Sequence, residues 1–212
     1  MKSRRAAVIL AGGGSHRMGQ PKPWLDAGGE PLLHRIARLV AEACPVVVVV
    51  GSAGQSLPPL PDGVARIDDP PEHAGQGPLA GALTGLTALG DLSAELVYVG
   101  ACDAAWLTTR HVRHVLDVLE RTNSAMAVVP ESGPFEDGTR IVHATSGAVR
   151  LPVARATAHA LVQSGQRALR SLYDGLAARR VGASTLPDPE AVRACNEPAD
   201  WEAARAAIAG EA

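Results

Sequence analysis

The chemistry in this chain is most concentrated in Leu10-Ala11-Gly12-Gly13-Gly14-Ser15-His16-Arg17-Met18-Gly19-Gln20-Pro21-Lys22, directly after the apolar run Ala6-Ala7-Val8-Ile9-Leu10. Glycines let a backbone come close to a phosphate and aim its N–H groups at it. Arg17 and Lys22 add positive charge, the lysine held between Pro21 and Pro23. Two familiar phosphate loops are excluded by spacing. Gly14 and Gly19 have the Walker separation, but Gln20 and Pro21 stand where the lysine and hydroxyl belong. Gly12 and Gly14 are followed by Arg17 where a dinucleotide fingerprint needs its third glycine. A plain glycine turn between strand and helix is the alternative, and the two cations favour phosphate.

Carboxylates come next. Val97-Tyr98-Val99-Gly100-Ala101-Cys102-Asp103 reads as a buried strand that delivers an acid at its end. Asp103 suits a magnesium ligand, because Mg²⁺ takes one or two carboxylates and fills its other positions with phosphate oxygens and water. Its alternative is a turn or helix-capping aspartate. Asp68-Asp69 follows the third expected strand, over 64–67. Other candidates carry less. His111 and His114 lie three apart on one predicted helix without a third ligand, and read as exposed polar residues. Ser15 lacks the nucleophile-elbow pattern, and Cys102 beside Asp103 reads as a small core residue whose thiolate an adjacent anion disfavours.

These residues need elements to position them. Apolar runs of strand length alternate with segments of helical period, which predicts an α/β sheet covered by helices on both faces. Strands are expected over 5–10, 46–50, 64–67, 96–101, 125–129, 146–149 and 180–182, and helices over 31–43, 79–89, 109–121, 153–163, 167–178 and 200–208. The run of valines at 46–50 suits a strand buried on both faces. In open α/β sheets ligands gather at the carboxyl ends of the strands. The glycine loop, Asp68-Asp69 and Asp103 all fall there, so distant segments are expected to meet at one edge.

Bulk properties permit this. The chain has 212 residues, which suits one domain over 1–212 with a sizeable core. A net charge of −2 suggests no general nucleic-acid or membrane surface. Three separated cysteines, Cys44, Cys102 and Cys195, suit a reducing compartment, the cytoplasm by default. No signal peptide or membrane span is expected.

From Leu10 to Lys22 the chain fills every fixed position of Leu-Ala-Gly-Gly-x-Ser-x-Arg-Met-Gly-x-x-Lys, and so resembles the nucleotidyltransferases related to molybdenum cofactor guanylyltransferase. Gly13 resembles the guanylyl-transferring members, since cytidylyl-transferring relatives tend to have Leu-Ala-Ala-Gly. The resemblance implies a Rossmann-like three-layer fold with a mostly parallel central sheet. It implies nucleotide binding by Leu10, Ala11, Gly12, Gly13, Lys22, Asp69, Gly81 and Asp103, with Arg17, Lys22 and Asp103 catalytic and Asp103 on Mg²⁺. Gly77-Pro78-Leu79-Ala80-Gly81 matches a family segment beside the nucleotide, although Pro-Leu is also ordinary first-turn chemistry. Asp69, in preference to Asp68, lies where the family has an aspartate for guanine; solvated loop carboxylates are the alternative.

Departures appear after Asp103, where Ala104-Ala105 replaces the family's x-Pro, and at Ala194 and Glu197, which replace an asparagine and a threonine. The resemblance places Asn196 at the metal or acceptor, and Arg167 and Arg170 against an anionic acceptor; a helix cap and a solvated helix face are the equal alternatives. The implied reaction transfers GMP from GTP to the phosphate of molybdopterin, releasing pyrophosphate. Transient contacts with other cofactor-biosynthesis proteins or molybdoenzymes go with it. Rival readings are a cytidylyl- or sugar- or alcohol-phosphate nucleotidyltransferase, and a non-catalytic nucleotide- or cofactor-binding homologue.

Overall fold

A computed structural model describes residues 4–13, 19–90, 92 and 94–210. Arg17 lies outside the described residues. The strands are β1 (Arg5–Leu10), β2 (Val46–Gly51), β3 (Val64–Asp68), β4 (Leu96–Ala101), β5 (Ala127–Ser132), β6 (Ile141–Val142), β7 (Ser146–Arg150) and β8 (Arg179–Gly182). The helices are α1 (Leu32–Ala41), α2 (Pro78–Gly90), α3 (Thr109–Arg121), α4 (Leu151–Gln163), α5 (Arg170–Gly175) and α6 (Pro198–Ala209). Among the described residues the strands form one eight-stranded sheet in the order β3-β2-β1-β4-β7-β5-β6, with β8 also paired to β5.

The half that carries the glycine loop is parallel throughout. Register pairs Leu10 with both Val50 and Ala101, and Gly51 with Asp68, so four strands end together at one edge. β7 runs antiparallel to β4 and β5, which makes the sheet mixed but mostly parallel. Alternation along β1 divides the core. Ala7 and Ile9 face α1, α3 and α6 through Ile36, Leu116 and Trp201. Ala6, Val8 and Leu10 face α2, α4 and α5 through Leu86, Ala158 and Leu172. Two-residue periodicity on a buried strand thus produces three layers. Packing of α2 on β1 is close: a Cβ at Gly85 would stand 2.5 Å from Val8 Cγ1, so only glycine lets the helix lie that near.

Element ends follow local chemistry. Thr108 caps α3 by accepting from the His111 N–H at 3.0 Å. At α6, Glu197 and Asp200 form a reciprocal capping box. Several predicted bounds shift: α1 ends at Ala41, and α5 is confined to Arg170–Gly175 where a helix over 167–178 is expected. β6 was not anticipated.

His111 corrects the expectation of an exposed helix residue, because its relative exposure is 0%. It sits on the core face of α3, with Nε2 2.6 Å from Ser146 Oγ. Tyr98 Oη lies 3.5 Å from the same hydroxyl. Burial lowers the imidazole from 6.5 to about 4. The unfolded chain therefore binds a proton that the fold refuses, so this contribution to stability is complete above pH 6.5 and is lost as pH falls towards 4. About 3 kcal/mol is at stake. Urea unfolding at neutral and acid pH should show the native chain losing more stability than His111→Gln across that window. Equal losses would remove His111 as the source.

Candidate active site

At the carboxyl edge the strands splay and their loops stitch together. Ala11 N–H donates to the Val50 carbonyl at 2.8 Å and Cys102 N–H to the Leu10 carbonyl at 2.9 Å. Gln55 clamps two of the loops, donating from Nε2 to the Ala11 carbonyl and accepting from the Ser52 N–H, both at 2.9 Å. Gly13 has φ +116°, a conformation that glycine adopts readily and that other residues resist. Below this framework opens a cleft of about 260 Å³, lined by Leu10, Gly12, Gly13, Ser52, Asp69 and Gly81 among others.

The two neighbouring aspartates part company. Asp68 accepts from Arg66 Nε at 2.8 Å on the exposed side of β3. Asp69 turns into the cleft, its N–H donating to the Gly51 carbonyl at 2.8 Å. Gly81, on the first turns of α2, leaves room in front of it: an added Cβ would stand 3.5 Å from Asp69 Oδ2. Gly77, at φ +86°, makes the turn into α2, where a Cβ would meet the Arg167 carbonyl at 2.9 Å. That carbonyl accepts from the Leu79 N–H at 3.1 Å. Arg167 therefore contributes backbone here, and its side chain lines neither this cleft nor the one beside it.

Three remote segments meet at Lys22. The lysine opens a 3₁₀ turn, Lys22–Trp24, and its Nζ lies 3.3 Å from Asp103 Oδ2 and 2.8 Å from Asn196 Oδ1. Asp103 stands just past β4, and its carbonyl accepts from the Cys195 N–H at 2.8 Å, which draws the segment before α6 against the strand end. Asn196 N–H donates to Asp200 Oδ2 at 3.0 Å. With the Glu197 N–H on the same oxygen, this holds the Asp200 carboxyl below the usual carboxylate range. The α6 cap thereby fixes the residue that fixes Lys22. Burial and then Asp103 push the Cys102 thiol up to about 12, so it stays protonated at neutral pH.

Asp103 Oδ1 is buried and has no hydrogen-bond partner among the described residues. An orphaned carboxylate oxygen beside an ammonium fits a hard cation. Among the described residues no cluster of three or more His, Cys, Asp or Glu side chains could cage a metal alone, so such a cation would draw most of its ligands from elsewhere.

A second cleft, of about 510 Å³, shares Pro78 with the first and is lined by His143, Arg170, Arg193 and Asn196 among others. Arg170 Nε lies 3.3 Å from Asp174 Oδ2 within α5. Arg193 stacks over Trp106, with its guanidinium carbon 4.3 Å from the ring centre. Asn196 thus stands between Lys22 and this second cleft.

Comparison with known proteins decides the family. Residues 7–185 match the MobA-like NTP transferase domain. The chain belongs to the MobA-like NTP transferase family. It is a nucleotidyltransferase, similar to a probable molybdenum cofactor guanylyltransferase of Mycolicibacterium paratuberculosis at 31% identity over 93% of both chains. A protein of the same description from Mycobacterium marinum is 32% identical over 83% of this chain and 82% of its own. Among solved structures, the molybdopterin-guanine dinucleotide biosynthesis protein A of Archaeoglobus fulgidus superposes with a TM-score of 0.73 at 17% identity, covering 97% of this chain and 99% of that one. The 2-C-methyl-D-erythritol 4-phosphate cytidylyltransferase of Thermus thermophilus superposes at 0.69 and 19% identity, covering 96% and 98%. At such identities these two speak for the fold.

Within this MobA-like site, sequence reasoning overlooked Gln55, Thr84, His73 and Arg193. None sits in a recognisable pattern, and each acquires its place through a partner distant in sequence. The Gln55 clamp joins residues 44 positions apart. Among the described residues, no helix is long and apolar enough to cross a membrane.

Proposed function

We propose that this nucleotidyltransferase moves GMP from GTP to the phosphate of molybdopterin. An acceptor phosphate oxygen attacks the α-phosphorus, the bond from that phosphorus to the bridging oxygen breaks, and pyrophosphate leaves. The acceptor is already an anionic nucleophile, so catalysis rests on positioning and charge stabilisation rather than on a strong base. The observation that carries this reading is the meeting of Lys22, Asp103 and Asn196 at the same carboxyl edge of the sheet as the cleft lined by Asp69.

Lys22, with Arg17, stabilises charge developing on the phosphates. The backbone of Leu10, Ala11, Gly12 and Gly13 lines the nucleotide, and the Asp69 carboxylate accepts from the N1–H and exocyclic amine of guanine. Asp103 is the carboxylate that would hold Mg²⁺, which when bound neutralises the triphosphate. Arg170 and Asn196, which line the second cleft, face the anionic acceptor, a role that Arg167 does not share because its side chain lines neither cleft. The relatives named as molybdenum cofactor guanylyltransferases support this pair of substrates.

The test supplies molybdopterin, Mg²⁺ and GTP, CTP or ATP, and reads pyrophosphate release and product mass. A GMP adduct is expected with GTP. A CMP adduct in preference, or pyrophosphate with no adduct, would overturn the assignment. Asp69→Asn should weaken GTP by roughly thirtyfold, with ATP and CTP little affected, because the amide presents a donor where an acceptor is needed and a hydrogen bond to a charged group is worth about 2 kcal/mol. Equal weakening of all three nucleotides would reduce Asp69 to a loop support.

A further inference from the structure

Asp69 does not stand alone in its cleft. Thr84, one turn beyond Gly81 on α2, has Oγ1 2.7 Å from Asp69 Oδ1. The same hydroxyl lies 2.9 Å from His73 Nδ1 and 3.2 Å from the Ala80 carbonyl. A hydroxyl has one proton to give. An ionised carboxylate at the shorter distance is the stronger acceptor, so the proton goes to Asp69. Oγ1 must then receive from His73, which assigns the Nδ1–H form of that ring. The chain of donation runs one way, from His73 to Thr84 to Asp69 Oδ1, and runs the same way whether the imidazole is neutral or protonated. Both carboxylate oxygens face the space that a Gly81 side chain would fill, Oδ2 at 3.5 Å and Oδ1 at 3.9 Å from an added Cβ.

We propose that Thr84 and His73 are specificity-determining positioning residues, which lock the rotation of the Asp69 carboxylate and so set how sharply the cleft distinguishes guanine from other bases. This rests on the guanine reading of Asp69. Neither residue needs to touch the base. A carboxylate free to rotate spends part of its time presenting neither lone pair to the N1–H and amine donors, and a site built on oriented acceptors loses discrimination when the orientation is lost. The three members come from the loop after β3, the turn that follows it and the second turn of α2, so the lock also ties that loop to the helix that walls the cleft.

The test is calorimetric titration of the full chain with GTP, CTP and ATP in the presence of Mg²⁺, which requires no acceptor. Thr84→Val keeps the shape and removes the hydroxyl, and should shrink the ratio of GTP to CTP affinity on the order of tenfold or more. Thr84→Ser, which keeps the hydroxyl, should restore it. His73→Leu removes the upstream donor and should shrink the ratio in the same direction, while His73→Gln, whose amide can donate to Thr84, should restore part of it. His73 is half-buried at the end of the short turn Pro71–His73 and outside both core clusters, so this pair decides even where Thr84→Val does not fold. Asp69→Asn separates the two levels. If Asp69→Asn shrinks the ratio while Thr84→Val and His73→Leu leave it intact, the lock is wrong and the guanine reading stands. If Asp69→Asn leaves the ratio unchanged, or the native chain prefers no base, the guanine reading falls and takes the lock with it.

Discussion

Lys22→Ala is expected to lower turnover at saturating GTP by roughly 10²–10³ while the melting temperature stays close to that of the native chain. The magnitude follows from what one well-aimed donor contributes to developing charge, about 3–4 kcal/mol. The aim itself comes from the fold. Lys22 Nζ is held between Asp103 Oδ2 and Asn196 Oδ1, so its long side chain is ordered before any substrate arrives. Its side chain is largely covered, but its head meets the polar groups of Asp103 and Asn196 rather than the apolar core, so truncation removes little core packing. Steady-state rates and a thermal melt on the same preparation check both halves. An unchanged rate at saturation would remove Lys22 from the mechanism.

Asp103→Asn is expected to raise the Mg²⁺ requirement at least about tenfold and to depress turnover, again with little change in melting temperature. Local structure separates this from a capping role. The following helix takes its cap from Thr108, and Asp103 serves its surroundings through its backbone carbonyl, which the substitution leaves in place. Of the side chain, one oxygen meets Lys22 and the other is buried without a partner among the described residues. Asparagine keeps the shape of the side chain and an oxygen that can accept from Lys22 Nζ, so the substitution should scarcely register in a melt. A Mg²⁺ titration and a melting curve on the variant decide the matter. A normal titration with a lowered melting point would return Asp103 to a structural role.

Much of this was legible in the residues, for identifiable reasons. Strands buried on both faces announce themselves as unbroken apolar runs, and β1 and β4 carry site residues at their carboxyl ends, so with Asp69 just past β3 their meeting at one edge follows from topology. Direction was not legible for β7: an apolar run reads alike whichever way it points, and its antiparallel pairing is set by neighbours. β6 has two residues, too few for any period to show. His111 misled because a polar residue on an amphipathic helix reads as exposed, whereas Ser146, 35 positions later, supplies the partner that lets it be buried. Asn196 was seen as a residue for the metal or acceptor. Its hydrogen bond to Lys22 depends on α6 folding back across the strand end, which no local pattern encodes.

The clamp on Lys22 has a consequence in time. Its two arms close loops of 81 and 174 residues; the first needs β1 and β4 paired, and the second needs the segment before the last helix in place as well, so the complete clamp exists only in the finished fold. Ligand that needs the ordered lysine therefore has no hold on unfolded or half-assembled chains. By mass action, such a ligand at free concentration c stabilises the finished molecule by RT ln(1 + c/Kd), and so increasingly as its concentration exceeds Kd. Substrate abundance would act as a chaperone of the completed fold, protecting from proteolysis those copies in which all three segments have already met.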